Sequence, residues 1–298
     1  MGRRHALAAA TALVADRLVP HPRAVPHPVA LFGSAMGKVE ARLYADDLRA
    51  GATYALIGAA GAAAVGAAAR STALTTWISL GGRQLHDTAT TIGDLLAADD
   101  LDAARQLLPS LVGRDPAALD ADGIARAVVE SVAENTVDAI VAPAFWATIG
   151  GGAGVFAHRA VDTMDSMVGY PEGRYARFGT ASARLDDAMA WVPARITAGL
   201  VALARPDRAV RVLRTVRRDA PSHPSPNAGV AEAAFAAALG LTLGGPTVYS
   251  DRTEVRPVLG AGRTPQPSDI ASSVALSQEV ATALAAVLAG WGLAGRRR

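Results

Sequence analysis

Apolar and polar positions along this chain fall into long blocks rather than the two-residue alternation of strands. Residues 50–69, between Arg49 and Arg70, carry no charge. That run meets the roughly 20 residues a spanning helix needs, and Gly58, Gly61 and Gly66 leave it a small face for close packing. Residues 139–158 form a second block, interrupted by Pro143 and Gly150–Gly152, which predicts a broken or re-entrant helix. Residues 188–204 are apolar except for Arg195, and blocks at 233–250 and 280–295 complete the set. Trp291 stands near the end of the last as an interfacial anchor. The start, MGRRHALAAATALVADRLVP, is basic and then apolar, as in a signal peptide. Asp16 and Arg17 follow with no cleavage site, so it predicts an uncleaved first helix. The expected fold is all-α: a polytopic integral membrane helical bundle with broken or re-entrant helices and polar inter-helix loops. It is expected to form one domain over 1–298 with a polar insert from about 82 to 137.

Composition agrees with that pattern. Hydrophobic residues make up 51% and charged residues 19%, and mean hydropathy is +0.23, which excludes a largely disordered chain. With no cysteine, disulfides, thiolate metal sites and cysteine nucleophiles are excluded. A net charge of +2 implies no nucleic-acid footprint, and Lys38 is the single lysine. Arginines gather at Arg3–Arg4, between Arg205 and Arg218, and at Arg296–Arg298. The positive-inside rule then predicts a multi-pass protein of the cell membrane, in contact with lipid and with both termini cytoplasmic. Its small-residue faces permit homo-oligomers.

Candidate chemistry sits in four polar islands. In the first, residues 16–33, repeated His-Pro pairs hold His27 on an extended path; a plain connector explains this island equally well. In the second, residues 113–143, Asp120 or Asp122 caps a helix on which Arg126, Glu130, Glu134 and Asp138 recur at four-residue spacing and share one face. A solvated Arg126–Glu130 stripe is the ordinary explanation. Carboxylates with Asn135 at a membrane boundary also suit Mg²⁺, which takes a few carboxylates plus phosphate oxygens. In the third, residues 159–195, Asp162, Asp165 and Ser166 share a helical face, Asp186 and Asp187 follow a glycine-bearing loop, and Arg184, Asp187 and Arg195 suit one broad face of a following helix kinked at Pro193. Arg195 is costly inside an apolar stretch and calls for a partner. That partner is Asp187, or a carboxylate or phosphate bound in a forked geometry. In the fourth, residues 221–249, prolines lock a loop carrying His223, Ser225 and Asn227, and Glu232 heads the next helix. A helix N-terminus favours anions, so a phosphate is a candidate ligand there. No P-loop is present, since Gly33 and Gly37 are too close and no Ser or Thr follows Lys38.

The ordered series HPVALFG, GRDPAALDADGIARAVVESVAENTVDAIVAP, DTMDSMVGY, YARFG, ARLDDAMAWVPAR, HPSPNAG and LGGPTVY resembles the CobD/CbiB family of cobalamin biosynthesis, the adenosylcobinamide-phosphate synthases. The match runs over nearly the whole chain. There are departures: Val19-Pro20-His21-Pro22 replaces a Gly-Asp-Pro turn, His158-Arg159 replaces Tyr-Lys, and Ala190 replaces an asparagine. The first two bear on local anchoring, the third on one polar contact of the site.

The resemblance implies an ATP-dependent ligase that joins aminopropanol or aminopropanol phosphate to a propionate of the corrinoid adenosylcobyric acid. ATP answers a chemical need, because a free carboxylate does not condense with an amine at neutral pH. On that implication Glu130, Glu134 and Asp138, with Asp162 or Asp165, hold Mg²⁺ and position the phosphates. Arg184 and Arg195 neutralise the phosphoryl group and the substrate carboxylate. Asp186, Asp187 or His223 accepts the amine proton, and His223, Ser225 and Asn227 are alternatively the site of the aminopropanol phosphate. Other corrin-pathway enzymes are expected partners. The rival class is a non-catalytic membrane transporter, sensor or scaffold binding a corrinoid or another anionic solute, which suits an intramembrane arginine equally.

Overall fold

The computed structural model describes residues 2–20, 27–113, 116–248 and 253–294. The expectations placed on His21-Pro22 and on Arg296–Arg298 lie outside those residues. Helices dominate: α1 (Gly2–Leu18), α2 (Pro28–Leu43), α3 (Leu48–Ala68), α4 (Thr72–Ser79), α5 (Gly82–Ala97), α6 (Leu101–Leu107), α7 (Ala121–Thr136), α8 (Ala142–Val168), α9 (Thr180–Ala204), α10 (Ala209–Asp219) and α11 (Ala228–Leu239). An antiparallel hairpin follows, β1 (Thr242–Val248) with β2 (Thr253–Gly260), before α12 (Pro267–Leu293). Among the described residues four helical stretches are long and apolar enough to cross a membrane: Leu48–Ala68, Ala121–Val168, Thr180–Ala204 and Pro267–Leu293. The fold is therefore the all-α, polytopic membrane type expected.

Local signals account for several boundaries. Asp120 is the residue that caps α7, its Oδ1 accepting the Gly123 N–H at 2.8 Å. Asp47 and Ser71 cap α3 and α4 in the same way. A π-type turn, Val137–Val141, links α7 to α8. The interruption expected around residue 150 is real but belongs to Gly151, whose φ of 59° and ψ of −143° break the helical path. Pro143 does not interrupt anything. It stands in the first turn of α8, where a missing N–H costs little.

One expectation fails. The apolar block at 233–250 is not a spanning helix; it is divided between α11 and β1. Gly240 ends α11 in the left-handed region at φ 74°, and Gly244 and Gly245, at φ 81° and 85°, bulge the strand. An alanine-rich helix and a glycine-rich strand share an apolar composition, so hydropathy alone cannot separate them.

The chain packs as two compact units. The first is built from Met1–Leu80, Asp138–Trp191 and Leu284–Arg298, the second from Gly81–Val137 and Val192–Ala283. In the first, α3 lies against α8 at van der Waals range of their backbones. A Cβ on Gly66 would meet the Gly152 carbonyl oxygen at 2.1 Å, and one on Gly152 would meet that of Gly66 at 2.3 Å. Met36, Tyr54, Val161, Met164, Val168 and Phe178 form a buried cluster beside this seam. The YARFG segment serves the same packing. Phe178 fills the cluster, with its ring 5.2 Å from that of Tyr54, while Tyr175 Oη donates to Glu40 Oε1 at 2.8 Å. That bond holds the Tyr175 hydroxyl above its usual pKa. In the second unit α7, α10 and α11 pack with the hairpin, and buried Ser277 joins His86 and Thr136 through 2.9 and 2.7 Å hydrogen bonds.

Gly66→Ala should destabilise the first unit by about 1–3 kcal/mol, because the added methyl strikes backbone that cannot swing aside. At Gly61, where an added Cβ meets nothing within 4 Å, alanine should be neutral or slightly stabilising. Thermal melts of both variants in one detergent check the contrast.

Candidate functional site

The second unit holds a buried polar core. Its centre is Glu232, fully buried on α11, whose other residues are all uncharged. No donor lies within hydrogen-bond range of either carboxyl oxygen, while the Glu134 carboxyl is near enough to share a hydrogen bond with the protonated acid. Neighbours stand just beyond: His223 Nε2 at 3.8 Å and Arg256 Nη1 at 3.9 Å. Arg256 is also 3.9 Å from Glu134. Burial first, then the charges of Glu134 and Glu130, raise the Glu232 pKa well above 4.5. Burial also pushes the His223 imidazole below its usual 6.5. Burial therefore favours a neutral acid beside a neutral imidazole, 3.8 Å apart.

The HPSPNAG segment builds the loop that delivers His223. Ser225 donates its backbone N–H to His223 Nδ1 at 3.1 Å, and its Oγ accepts from the Ala228 and Asn227 N–H groups at 3.2 and 3.3 Å. Gly229 is required by the approach of the imidazole, since a Cβ there would sit 2.4 Å from His223 Cβ. Asn227 Oδ1 accepts from Arg195 Nη1 at 2.9 Å. The arginine expected to need a partner thus has the Asn227 amide as one of its partners.

The α7 stripe is divided in use. Arg126 donates to the carbonyls of Gly244 at 2.9 Å and Pro246 at 2.8 Å, and Glu130 Oε1 accepts the Gly244 N–H at 2.8 Å. Residues four apart on one helix thereby grip both polar groups of a single bulge glycine. Glu130 is 2% exposed, so the solvated-stripe explanation does not hold for it. Glu134, one turn on, keeps a third of its side chain exposed and reaches Arg256 only at the long distance named above. Asn135 turns its amide onto Ser131, to the carbonyl at 2.9 Å and the hydroxyl at 3.2 Å.

The first unit holds a separate group of acids. Asp162, Asp165, Asp186 and Asp187 are near enough to act on one another electrostatically, and Arg159 Nη1 pairs with Asp162 Oδ2 at 3.0 Å. Ser166 and Arg184, expected to share this site, are exposed. His27 caps α2, its Nδ1 accepting the Val29 N–H at 3.3 Å. Asp138 is the second residue of the π-type turn. Of the carboxylates expected to share a magnesium ion, Glu130 and Glu134 belong to the second unit, Asp138 and Asp162 to the first.

Two residues of the polar core were not among the expected site residues. Glu232 carried a readable signal, a lone acid in an apolar helix. Arg256 carried none, because only the hairpin brings it to α7 and α11.

Donor chemistry allows a test of fit for magnesium. Among the described residues no group of three or more His, Asp or Glu side chains could hold a metal ion. Mg²⁺ that arrives with phosphates needs only one or two carboxylates. The partly exposed Glu134, which also meets Glu232, is one such carboxylate.

Comparison with known proteins matches residues 9–277 to the model of the CobD/Cbib protein family. The chain belongs to the CobD/CbiB family. Proteins named "Cobalamin biosynthesis protein CobD" are similar to it throughout. That of Mycobacterium tuberculosis (strain CDC 1551 / Oshkosh) is 50% identical over 277 residues, 88% of each chain. That of Rhodobacter capsulatus is 45% identical over 213 residues, 71% of this chain and 68% of its own. That of Geobacter metallireducens (strain ATCC 53774 / DSM 7210 / GS-15) is 39% identical over 269 residues, 84% of this chain and 85% of its own. No solved structure matches the chain. The CobD/CbiB motifs quoted above therefore divide between packing, as in YARFG, and the polar core, as in HPSPNAG.

A carboxyl whose folded pKa lies above its unfolded value stabilises the fold fully below the unfolded value near 4.5, and that contribution is lost as pH rises through the folded value. Glu232→Gln has no proton to lose. Its melting temperature should gain on the parent as pH rises from about 5 to 9, with the gap narrowing at the acid end. A gap independent of pH contradicts the assignment.

Proposed function

We propose that this chain is an ATP-dependent amide ligase of cobalamin biosynthesis. It joins aminopropanol or its phosphate to a propionate of adenosylcobyric acid, at the cytoplasmic membrane. The observation that carries the reading is the Glu232–His223 pair, buried beside Arg256 and Glu134 in the same unit as the Arg195–Asn227 pair. Amide formation needs an anion site for a carboxylate or phosphate and an acceptor for the proton that the attacking amine loses. This core supplies both types of group.

Arg195, oriented by Asn227, takes the substrate carboxylate or the transferred phosphoryl group through forked, charge-assisted hydrogen bonds. ATP is the second substrate, activating the carboxyl so that phosphate rather than oxide leaves. Glu134 would hold Mg²⁺, whose contribution when bound is to neutralise phosphate charge. As the amine nitrogen bonds to the acyl carbon, its proton passes to His223, and the nearby charges of Glu134 and Glu130 balance the imidazolium that forms, with neutral Glu232 beside it. Arg256 keeps Glu134 and Glu232 apart in charge and so orients the pair. The acids of the first unit, Asp165, Asp186 and Asp187, are further candidates for the proton, and Arg184 for the phosphoryl group.

Incubating the detergent-solubilised chain with adenosylcobyric acid, Mg-ATP and each acceptor should give an amide product detected by mass spectrometry and dependent on ATP. Glu134→Gln should lower its yield at least about a hundredfold, as loss of transition-state charge stabilisation does, with an unchanged melting curve. Corrinoid binding without product in the folded parent would instead support a carrier or scaffold. Full turnover by Glu134→Gln would remove that residue from the metal site.

A further inference from the structure

The first unit contains a cavity that the ligase reading does not use. It measures about 400 Å³ and is walled by α2, α3, α4 and α8. That volume falls in the range of roughly 300–1,000 Å³ typical of small-molecule sites. Phe32, Ile57, Val65, Ile78 and Phe156 make its lining almost wholly apolar. On the α3 side Gly61 leaves open space, since an added Cβ there meets nothing within 4 Å. Ile57 and Val65 are 45% and 63% exposed, so this wall continues to the outer surface of a helix long and apolar enough to cross a membrane.

Arg159 is the one charged residue among the described lining residues. Its Nη1 is taken by Asp162, but its Nε is buried without a hydrogen-bond partner. A guanidinium at the edge of an apolar chamber, one quarter exposed, suits an acceptor carried in by an apolar body. We propose that this cavity binds a single-chain amphiphile bearing a carboxyl group, with its tail among the α2 and α3 side chains and its head on Arg159.

Arg159 directly follows the uncharged block at 139–158, so a tail lying in the cavity has its head at the polar end of that block. A chamber of about 400 Å³ takes one chain rather than the two of a phospholipid. A carboxylic acid sheds its charge on the way in and regains it beside the guanidinium. The same guanidinium holds Asp162, so occupancy of the cavity and the pairing of Asp162 draw on one cation.

The test uses the full chain in zwitterionic nanodiscs and a diazirine-bearing dodecanoate, with cross-linked peptides mapped by mass spectrometry. Labelling should concentrate on residues 28–36, 57–65 and 156–163 and should be competed by unmodified dodecanoate. Arg159→Met should weaken it about tenfold or more, the effect of losing a hydrogen bond to a charged group. The matching dodecanol probe should label weakly, and equally in parent and Arg159→Met. Gly61→Phe should abolish labelling by filling the cavity; Gly61→Leu is the smaller filler should phenylalanine disturb folding, and it should reduce labelling. Label spread over exposed apolar faces without saturable competition would overturn the proposal. So would full labelling in Arg159→Met or in a folded Gly61 filler variant.

Discussion

A carboxyl group buried in an apolar helix is the constraint around which the second unit is arranged. Glu232 has no exposed surface and no donor within hydrogen-bond range, and such a group is tolerated only if it is neutral or faces compensating charge. The unit provides both conditions. Burial and neighbouring carboxylates favour the protonated form, while Arg256 approaches from the hairpin. The hairpin is held by α7, where Arg126 and Glu130 take the carbonyl and N–H of Gly244. Asp219 accepts the Gly260 N–H at the same end of the hairpin, its own pKa lowered by a hydrogen bond from Arg218. Removing that support would displace Arg256 and leave the Glu232 carboxyl facing two other acids.

This arrangement gives chemical meaning to motifs that are only short strings in the sequence. His-Pro-Ser-Pro-Asn is a bracket: Ser225 orients the imidazole and caps α11, and Asn227 orients Arg195. Gly-Gly-Pro, at the strand start, is the bulge that α7 grips. The first unit follows different rules. There glycines at positions 58, 66 and 152 bring helices into contact, and Arg159, paired with Asp162, forms with the four aspartates a charged group that a membrane environment makes expensive.

Much of this was legible in advance because it depends on local pattern. The uncharged run at 50–69 reads as a helix by length alone, and Asp120 announces α7 by its position before an amphipathic stretch. The interruption near residue 150 was readable from three successive glycines, though not that Gly151 alone makes it. What the pattern hid was tertiary. Residues 233–250 have one composition and two structures, separated by left-handed glycines. Glu130 and Arg126 looked like mutual partners, yet each reaches a glycine more than 110 positions away. Arg256 is invisible to any argument from spacing, since its neighbours come from two other elements. The family motifs are legible as short strings, and the fold shows which of their residues pack and which face the buried acid.

The central claim is that Glu232 is held as a neutral acid beside His223. Difference infrared spectroscopy of ¹³C-glutamate-labelled protein reads this directly from the carbonyl stretch of protonated carboxyl groups. The account predicts a protonated-carboxyl band that persists to pH values well above those at which ordinary glutamates have ionised, and that is missing from Glu232→Gln. A spectrum in which every glutamate band titrates in the ordinary range, or in which the persistent band survives Glu232→Gln, would contradict it.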